Sequence, residues 1–130
     1  MKGDLDLRKE VAVYLRSCFR RRVTPNVNEL AARLHMSRFA LRRRFRAQYG
    51  ISLTRCFAEV RVRYAKRLLR RTGLSIRVIA RRAAFADVRN FNRVFLRVTG
   101  ETPSSYRKQV RRRKTRAARA IGRLRRPAAE

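Results

Sequence analysis

Residues 37–50 read SRFALRRRFRAQYG, and residues 87–100 read DVRNFNRVFLRVTG. The two stretches repeat one plan at an offset of 50, with Ser37, Leu41, Phe45, Gly50 and Ser52 falling on Asp87, Phe91, Phe95, Gly100 and Thr102. In each copy a capping side chain opens a helix, apolar residues four apart mark its inner face, and a glycine supplies the left-handed position that ends it. Just upstream, Leu30-Ala31 matches Ile79-Ala80 at an offset of 49, so the second copy carries one extra residue in its turn. A short helix, a turn of three or four residues, a cap and an arginine-rich second helix make the helix-turn-helix pattern. The chain holds that pattern twice.

Outward from the repeat, apolar residues keep recurring at steps of three and four, and no segment alternates cleanly with period two. A first helix over about Leu5 to Phe19 carries Leu7, Val11, Tyr14, Leu15 and Cys18 on one stripe. Asn26 or Asn28 caps a second with Val27, Leu30, Ala31 and Leu34, and Ser37 caps the third. A longer helix runs from Ser52 or Leu53 to Arg71, with Phe57, Val60, Tyr64, Leu68, Leu53 and Ala65 on its buried side, and Thr72-Gly73 ends it. Ser75 caps a fifth with Ile76, Ile79, Ala80 and Ala83. Asp87 caps a sixth with Phe91, Val94, Phe95 and Val98, and Pro103 sits in the first turn of a seventh. The expected fold is all-α: about seven helices forming two helix-turn-helix subdomains joined by a long linker helix. The boundaries read as 1–51 for the N-terminal subdomain, 52–72 for the linker helix, 73–110 for the C-terminal subdomain and 111–130 for a basic tail.

Composition narrows the chemistry. In 130 residues, 37 Lys and Arg against 8 Asp and Glu give a formal charge of +29, while a 45 % apolar content is enough for a core. A foldable chain this basic finds a polyanion, nucleic acid first and an anionic membrane surface second. Two cysteines and one histidine build no zinc finger, and two cysteines are too few for a disulfide scaffold. Cys18 and Cys56 read as small core residues in a reducing, intracellular setting. There is no signal-peptide run, and arginines interrupt every segment long enough to span a bilayer. No nucleophile constellation, phosphate-binding glycine loop or metal cluster points to an enzyme or a cofactor.

What the arginine-rich helices offer is base recognition. With Leu41 and Phe45 turned inward, Arg38, Phe39, Arg42, Arg43 and Arg46 lie on or near the opposite side of the third helix. Arg42 is the first choice as a reader of guanine O6 and N7, a bidentate contact worth about 1 to 3 kcal/mol in discrimination. On the sixth helix Val88, Arg89, Asn90 and Arg93 occupy the outward N-terminal turns, and Arg97 follows one turn on. Arg89 and Arg93 suit guanine and Asn90 suits adenine. Phosphate contact without sequence readout is the competing role for each arginine.

These residues carry a family resemblance. Leu30-Ala31, Met36-Ser37, Leu41, Arg43, Phe45, Gly50 and Ser52, then Arg61, Ala65 and Leu68-Leu69, then Ile76, Ile79-Ala80, Phe85, Phe91, Arg93, Phe95, Gly100, Pro103, Tyr106 and Arg107, resemble the DNA-binding domain of the AraC/XylS family of bacterial transcription regulators. The resemblance covers about residues 27 to 107, with Leu5 to Phe19 in the place of the family's first helix. It implies a monomer that sets two recognition helices in successive major grooves of a double-stranded promoter site. It further implies a regulator that activates through RNA polymerase in the cytoplasm, on the nucleoid. With no recognisable effector-binding domain ahead of the repeat, the chain resembles the stand-alone members of the MarA and SoxS type; the alternative is the DNA-binding part of a longer regulator. Phe39 matches a position the family uses at the DNA surface, with a peripheral core role as the alternative. Two departures stand out: His35 and Ala84 occupy turn positions where the family usually has glycine, and Val78 stands where a polar or acidic residue is common.

Past Arg107 the chain is basic to the point of monotony. Residues 107–126 hold eleven Lys and Arg and no acid; without them the chain keeps 26 basic and 8 acidic residues, still +18. In the absence of DNA this tail reads as a mobile solvated arm, and near DNA it adds phosphate contacts. Val110, Ala117, Ile121 and Leu124 lie at helical spacing, so it also suits an extension of the seventh helix or a basic amphipathic helix at an anionic surface. Charge alone supports a second reading of the whole chain, a nonspecific nucleoid or RNA-binding basic protein.

Overall fold

A computed structural model describes residues 6–125. Seven helices follow in order: α1 Leu7–Arg21, α2 Val27–Arg33, α3 Arg38–Tyr49, α4 Leu53–Arg71, α5 Ile76–Arg82, α6 Val88–Thr99 and α7 Pro103–Arg125. The first helix starts at Leu7 rather than Leu5, which lies outside the described residues, because the Asp6 carboxylate accepts the Lys9 N–H at 3.2 Å and caps it. Of the two candidate caps for α2, Asn26 takes the role by accepting the Asn28 N–H at 2.8 Å. Ser37, Ser52, Ser75 and Asp87 cap α3 to α6 in the same way, each accepting the N–H three residues on. Each such bond satisfies one orphan donor of the first turn, worth about 1 kcal/mol. Gly50 and Gly100 close α3 and α6 at φ 75° and 87°, where a side chain would be strained.

The apolar stripes then assemble two cores. The first gathers Leu7, Val11, Tyr14, Leu15 and Cys18 of α1, Leu30 and Ala31 of α2, Leu41 and Phe45 of α3, and Leu53, Cys56 and Phe57 from the start of α4. The second gathers Ile79 and Ala80 of α5, Phe91, Val94 and Phe95 of α6, and Ala58, Val62, Ala65 and Leu69 from the rest of α4. Both cysteines are buried as small apolar groups, and burial pushes the Cys56 thiol pKa upward. A linker helix that serves two cores must bury two faces. Val60, Tyr64 and Leu68, expected inside, are half-buried, whereas Ala58, Arg61, Val62 and Leu69 are buried in addition.

Val98 departs from its expected place on the inner stripe of α6. It is 38 % exposed, because the end of α6 runs past the second core and opens toward α4. The tail also departs from a solvated arm: α7 continues without a break to Arg125. Its first turns are anchored, with Pro103, Arg107 and Val110 buried. Arg107 donates to the carbonyls of Leu69, Thr72 and Leu74 at 3.4, 3.2 and 2.6 Å, tying α7 to the end of α4. Those carbonyls have no partner within their own helix or turn, and a cation there also meets the negative end of the helix dipole. Residues 126–130 of the expected tail lie outside the described ones.

Candidate nucleic-acid interface

Both turns adopt the backbone that their sequences resist. His35 and Ala84 sit at φ 54° and 66°, the left-handed region where glycine is the usual choice. In both cases the chain turns back so that an N–H two or more residues past the helix still reaches it: Met36 N–H donates to Ala31 at 2.9 Å and Phe85 N–H to Ala80 at 3.0 Å. The strain, about 1 to 2 kcal/mol for an alanine, is accepted. The second turn is longer by one residue, as the offset in the repeat requires.

Ala84 is held from α4. The guanidinium of Arg61, 9 % exposed, donates to the Ala84 carbonyl at 3.1 Å and to the Phe57 carbonyl at 3.3 Å, and lies 4.3 Å from the centroid of the Phe85 ring. Burial pushes its pKa down to about 10, leaving it charged at neutral pH. Among the described residues no carboxylate pairs with it; carbonyl dipoles and the aromatic face do the compensating. Arg61 therefore fixes the second helix-turn-helix to the linker helix.

On α3, Leu41 and Phe45 are fully buried, so the opposite side is all surface. Arg38, Arg42, Arg43 and Arg46 are exposed, and Phe39 is 66 % exposed with the Arg38 guanidinium 4.9 Å from its ring centroid. That exposure removes the core role for Phe39. On α6, Phe91 and Phe95 are buried and Arg89, Arg93 and Arg97 are exposed. Asn90 is half-buried; its N–H reaches the Asp87 cap at 2.7 Å and its side-chain oxygen accepts from Arg93 at 3.1 Å. Val88 is half-buried against the second core rather than free in solvent. The structure thus groups Arg89, Asn90, Arg93 and Arg97 on an accessible face and commits part of Val88 to packing.

Two ion pairs occur among the described residues, Arg21 with Glu29 and Arg55 with Glu59. None of the α3 or α6 arginines is in either. These cations carry no intramolecular carboxylate, as a surface meant for an external polyanion would require. Sequence reasoning passed over Arg44, Asn92 and Leu96, which share the exposed sides of the same helices. It also read α4 as a spacer alone. Arg55, Glu59, Arg63 and Lys66 of α4 face Arg97 and Val98 across a groove of about 760 Å³ floored by Ala58 and Val62. The four-residue spacing of Arg55, Glu59 and Arg63 was the available signal.

Comparison with known proteins agrees with this geometry. A family model described as a helix-turn-helix domain matches residues 30–109. The Msm operon regulatory protein of Streptococcus mutans is 32 % identical over 84 residues, covering 65 % of this chain and 30 % of its own length. The HTH-type transcriptional activator RhaR of Salmonella arizonae is 40 % identical over 67 residues, 52 % of this chain and 24 % of its own. The chain spans less than a third of the length of these relatives. Among solved structures, the DNA-binding domain of the transcriptional factor AdpA, in complex with a target DNA, superposes with a TM-score of 0.72 at 30 % identity, covering 82 % of this chain and 96 % of that one. A DNA-binding transcriptional dual regulator from Escherichia coli K-12 shares the fold at 22 % identity with a TM-score of 0.71, over 86 % of this chain and 98 % of that one. Two capped, arginine-faced helix-turn-helix units on one linker helix, matched over residues 30–109, place the chain in the AraC-type helix-turn-helix family of DNA-binding transcription regulators.

Proposed function

We propose that the chain recognises a specific double-stranded promoter site as a monomer, setting α3 and α6 in successive major grooves, and activates transcription through contact with RNA polymerase. It would do so in the cytoplasm, on the nucleoid. The observation that carries this reading is the pair of exposed arginine faces without a carboxylate partner, Arg38, Arg42, Arg43 and Arg46 on α3 and Arg89, Arg93 and Arg97 on α6, carried by two helices that both pack on α4. A major groove admits a helix and presents a distinct code at each base pair, and the planar fork of arginine matches guanine. Activation is supported by the similarity to RhaR, a transcriptional activator.

The two helices held on one linker must meet successive major grooves ~34 Å apart. Where their spacing falls short, bending the duplex toward the protein closes the gap, at about 1 to 6 kcal/mol depending on the sequence being bent. Arg42, Arg89 and Arg93 serve as readers of guanine and Asn90 as a reader of adenine, with Arg38, Arg43, Arg46 and Arg97 as readers or phosphate contacts. Footprinting in competitor DNA tests the whole: a discrete protected site of about two helical turns is expected. Uniform coating, the behaviour of a nonspecific nucleoid or RNA-binding protein, would overturn it.

A further inference from the structure

The outer half of α7 is a second cationic surface, separate from both helix-turn-helix units. Every residue from Arg111 to Leu124 is exposed. At 100° per residue, Pro103, Arg107, Val110 and Lys114 share the side turned to the protein body, where the first three are buried and the Lys114 ammonium donates to the Arg70 carbonyl. Arg112, Arg116, Arg119 and Arg123 fall within one narrow sector on the opposite side, at steps of four, three and four residues. They form a continuous row facing away from the domain. Like charges at these spacings weaken a helix by a few tenths of a kcal/mol per pair, so the row costs stability in the free protein. An anionic partner removes that repulsion.

We propose that this row is a third DNA contact, an arm that binds the phosphates flanking the half-site read by α6. The inference rests on the DNA-binding reading above and adds to it a separate, sequence-independent footprint on one side only. Charge complementarity identifies the occupant: α7 carries ten Lys and Arg and no carboxylate, and a duplex presents a negative charge every ~1.7 Å of axis. The anchor identifies the side, because α7 is rooted on the second subdomain through Arg107 and Val110. Past Lys114, the eleven residues to Arg125 extend about 16 Å, equal to about five base pairs. Guanidinium groups on a rod hold phosphates without reading bases, so the arm raises affinity for every sequence alike.

The test uses the full chain with Arg112, Arg116, Arg119 and Arg123 all changed to Gln, a good helix former that removes charge and leaves α7 intact by circular dichroism. Loss of four phosphate contacts should lower the salt slope of log K by about 3 to 4, on specific and random duplexes equally, with unchanged base preference. In parallel, the unmodified protein should lose a comparable share of its affinity when duplex flanking the α6 half-site is trimmed by about five base pairs, and none when the other flank is trimmed. An unchanged slope in a variant that keeps its helicity, or equal responses at both flanks, would sink the arm. So would anionic phosphatidylglycerol vesicles binding the parent and not the variant while the DNA slope stayed the same, since the row would then serve a membrane. The random-duplex slope needs no specific site, so the arm and the promoter reading fail independently.

Discussion

His35 in the first unit and Ala84 in the second occupy the same left-handed backbone region, yet the imidazole faces solvent while the alanine methyl is buried. Around Ala84 the chain supplies Arg61, Phe85 and an aromatic series running from Phe85 through Phe91 and Phe95 to Tyr106, with ring centroids 5.0, 5.7 and 5.7 Å apart. Around His35 there is no counterpart to Arg61. The first unit is instead tied at its edges, by the Tyr49 hydroxyl to Asp6 at 3.1 Å and by Arg21 to Glu29 at 3.0 Å. One strained turn is held by burial, the other is merely tolerated. The recognition helices differ as well: α3 presents five arginines, whereas α6 presents three, interspersed with Asn90, Asn92 and an exposed apolar Leu96.

Breaking the buried tie should have the largest effect on stability. Arg61→Met removes the bond to Ala84 and leaves that carbonyl buried, and about 2 to 3 kcal/mol of unfolding free energy should be lost in urea titrations. No single substitution around His35 should approach that. A loss below about 1 kcal/mol would mean that the second turn does not depend on α4. On DNA, Arg42→Ala and Arg93→Ala should each relax preference at one base position by about 1 to 3 kcal/mol, at positions roughly one helical turn apart. A selection experiment returning the parent's sequence preferences for both variants would remove the two helices from the reading role.

Next come the caps. Ser37→Ala and Asp87→Ala should each cost about 1 kcal/mol, measured by thermal unfolding. They should separate in DNA affinity, because the Asp87 carboxylate repels phosphate and the Ser37 hydroxyl does not. The finest discrimination comes from glycine. His35→Gly relieves strain at an exposed site and should stabilise by about 0.5 to 1 kcal/mol after the entropy of the unfolded glycine is subtracted. Ala84→Gly relieves the same strain but gives up a buried methyl worth about 0.8 kcal/mol, so its net effect should lie near zero. Equal gains at the two sites would erase the difference in burial. Smallest is the response to acid: the Lys9 N–H and the Tyr49 hydroxyl hold Asp6, and Arg21 holds Glu29, below their ordinary carboxylate pKa values. Groups lowered in this way stabilise the fold fully at neutral pH and lose that contribution as pH falls through the carboxylate range. Asp6 is exposed and Glu29 only half-buried, so the loss should be slight and visible first as fraying of α1 against α3 in amide exchange.

Much of this comparison is legible before any coordinates. The caps at Ser37, Ser52, Ser75 and Asp87, the glycines that close α3 and α6, and the inner residues Leu41, Phe45, Phe91 and Phe95 all follow from signals a few residues apart. So does the outward set from Arg38 to Arg46, because residues opposite a buried stripe on a helix face solvent. Arg61 gave no such signal: a charged residue reads as surface until three elements close over it. Val88 and Val98 show the reverse, since an apolar residue near a helix end is buried or not according to what lies beyond the end.

The amino-acid order alone determined seven helices, the caps that open α3 to α6, and the doubled motif, since capping and 3.6-residue periodicity are satisfied within a turn or two of chain. Only the tertiary structure decided that α4 buries two faces, that α7 is rooted on the end of α4 through Arg107, and that the Ala84 turn is held by Arg61. Those outcomes belong to contacts between residues far apart in sequence, where burial and long-range hydrogen bonds outweigh what each segment prefers locally.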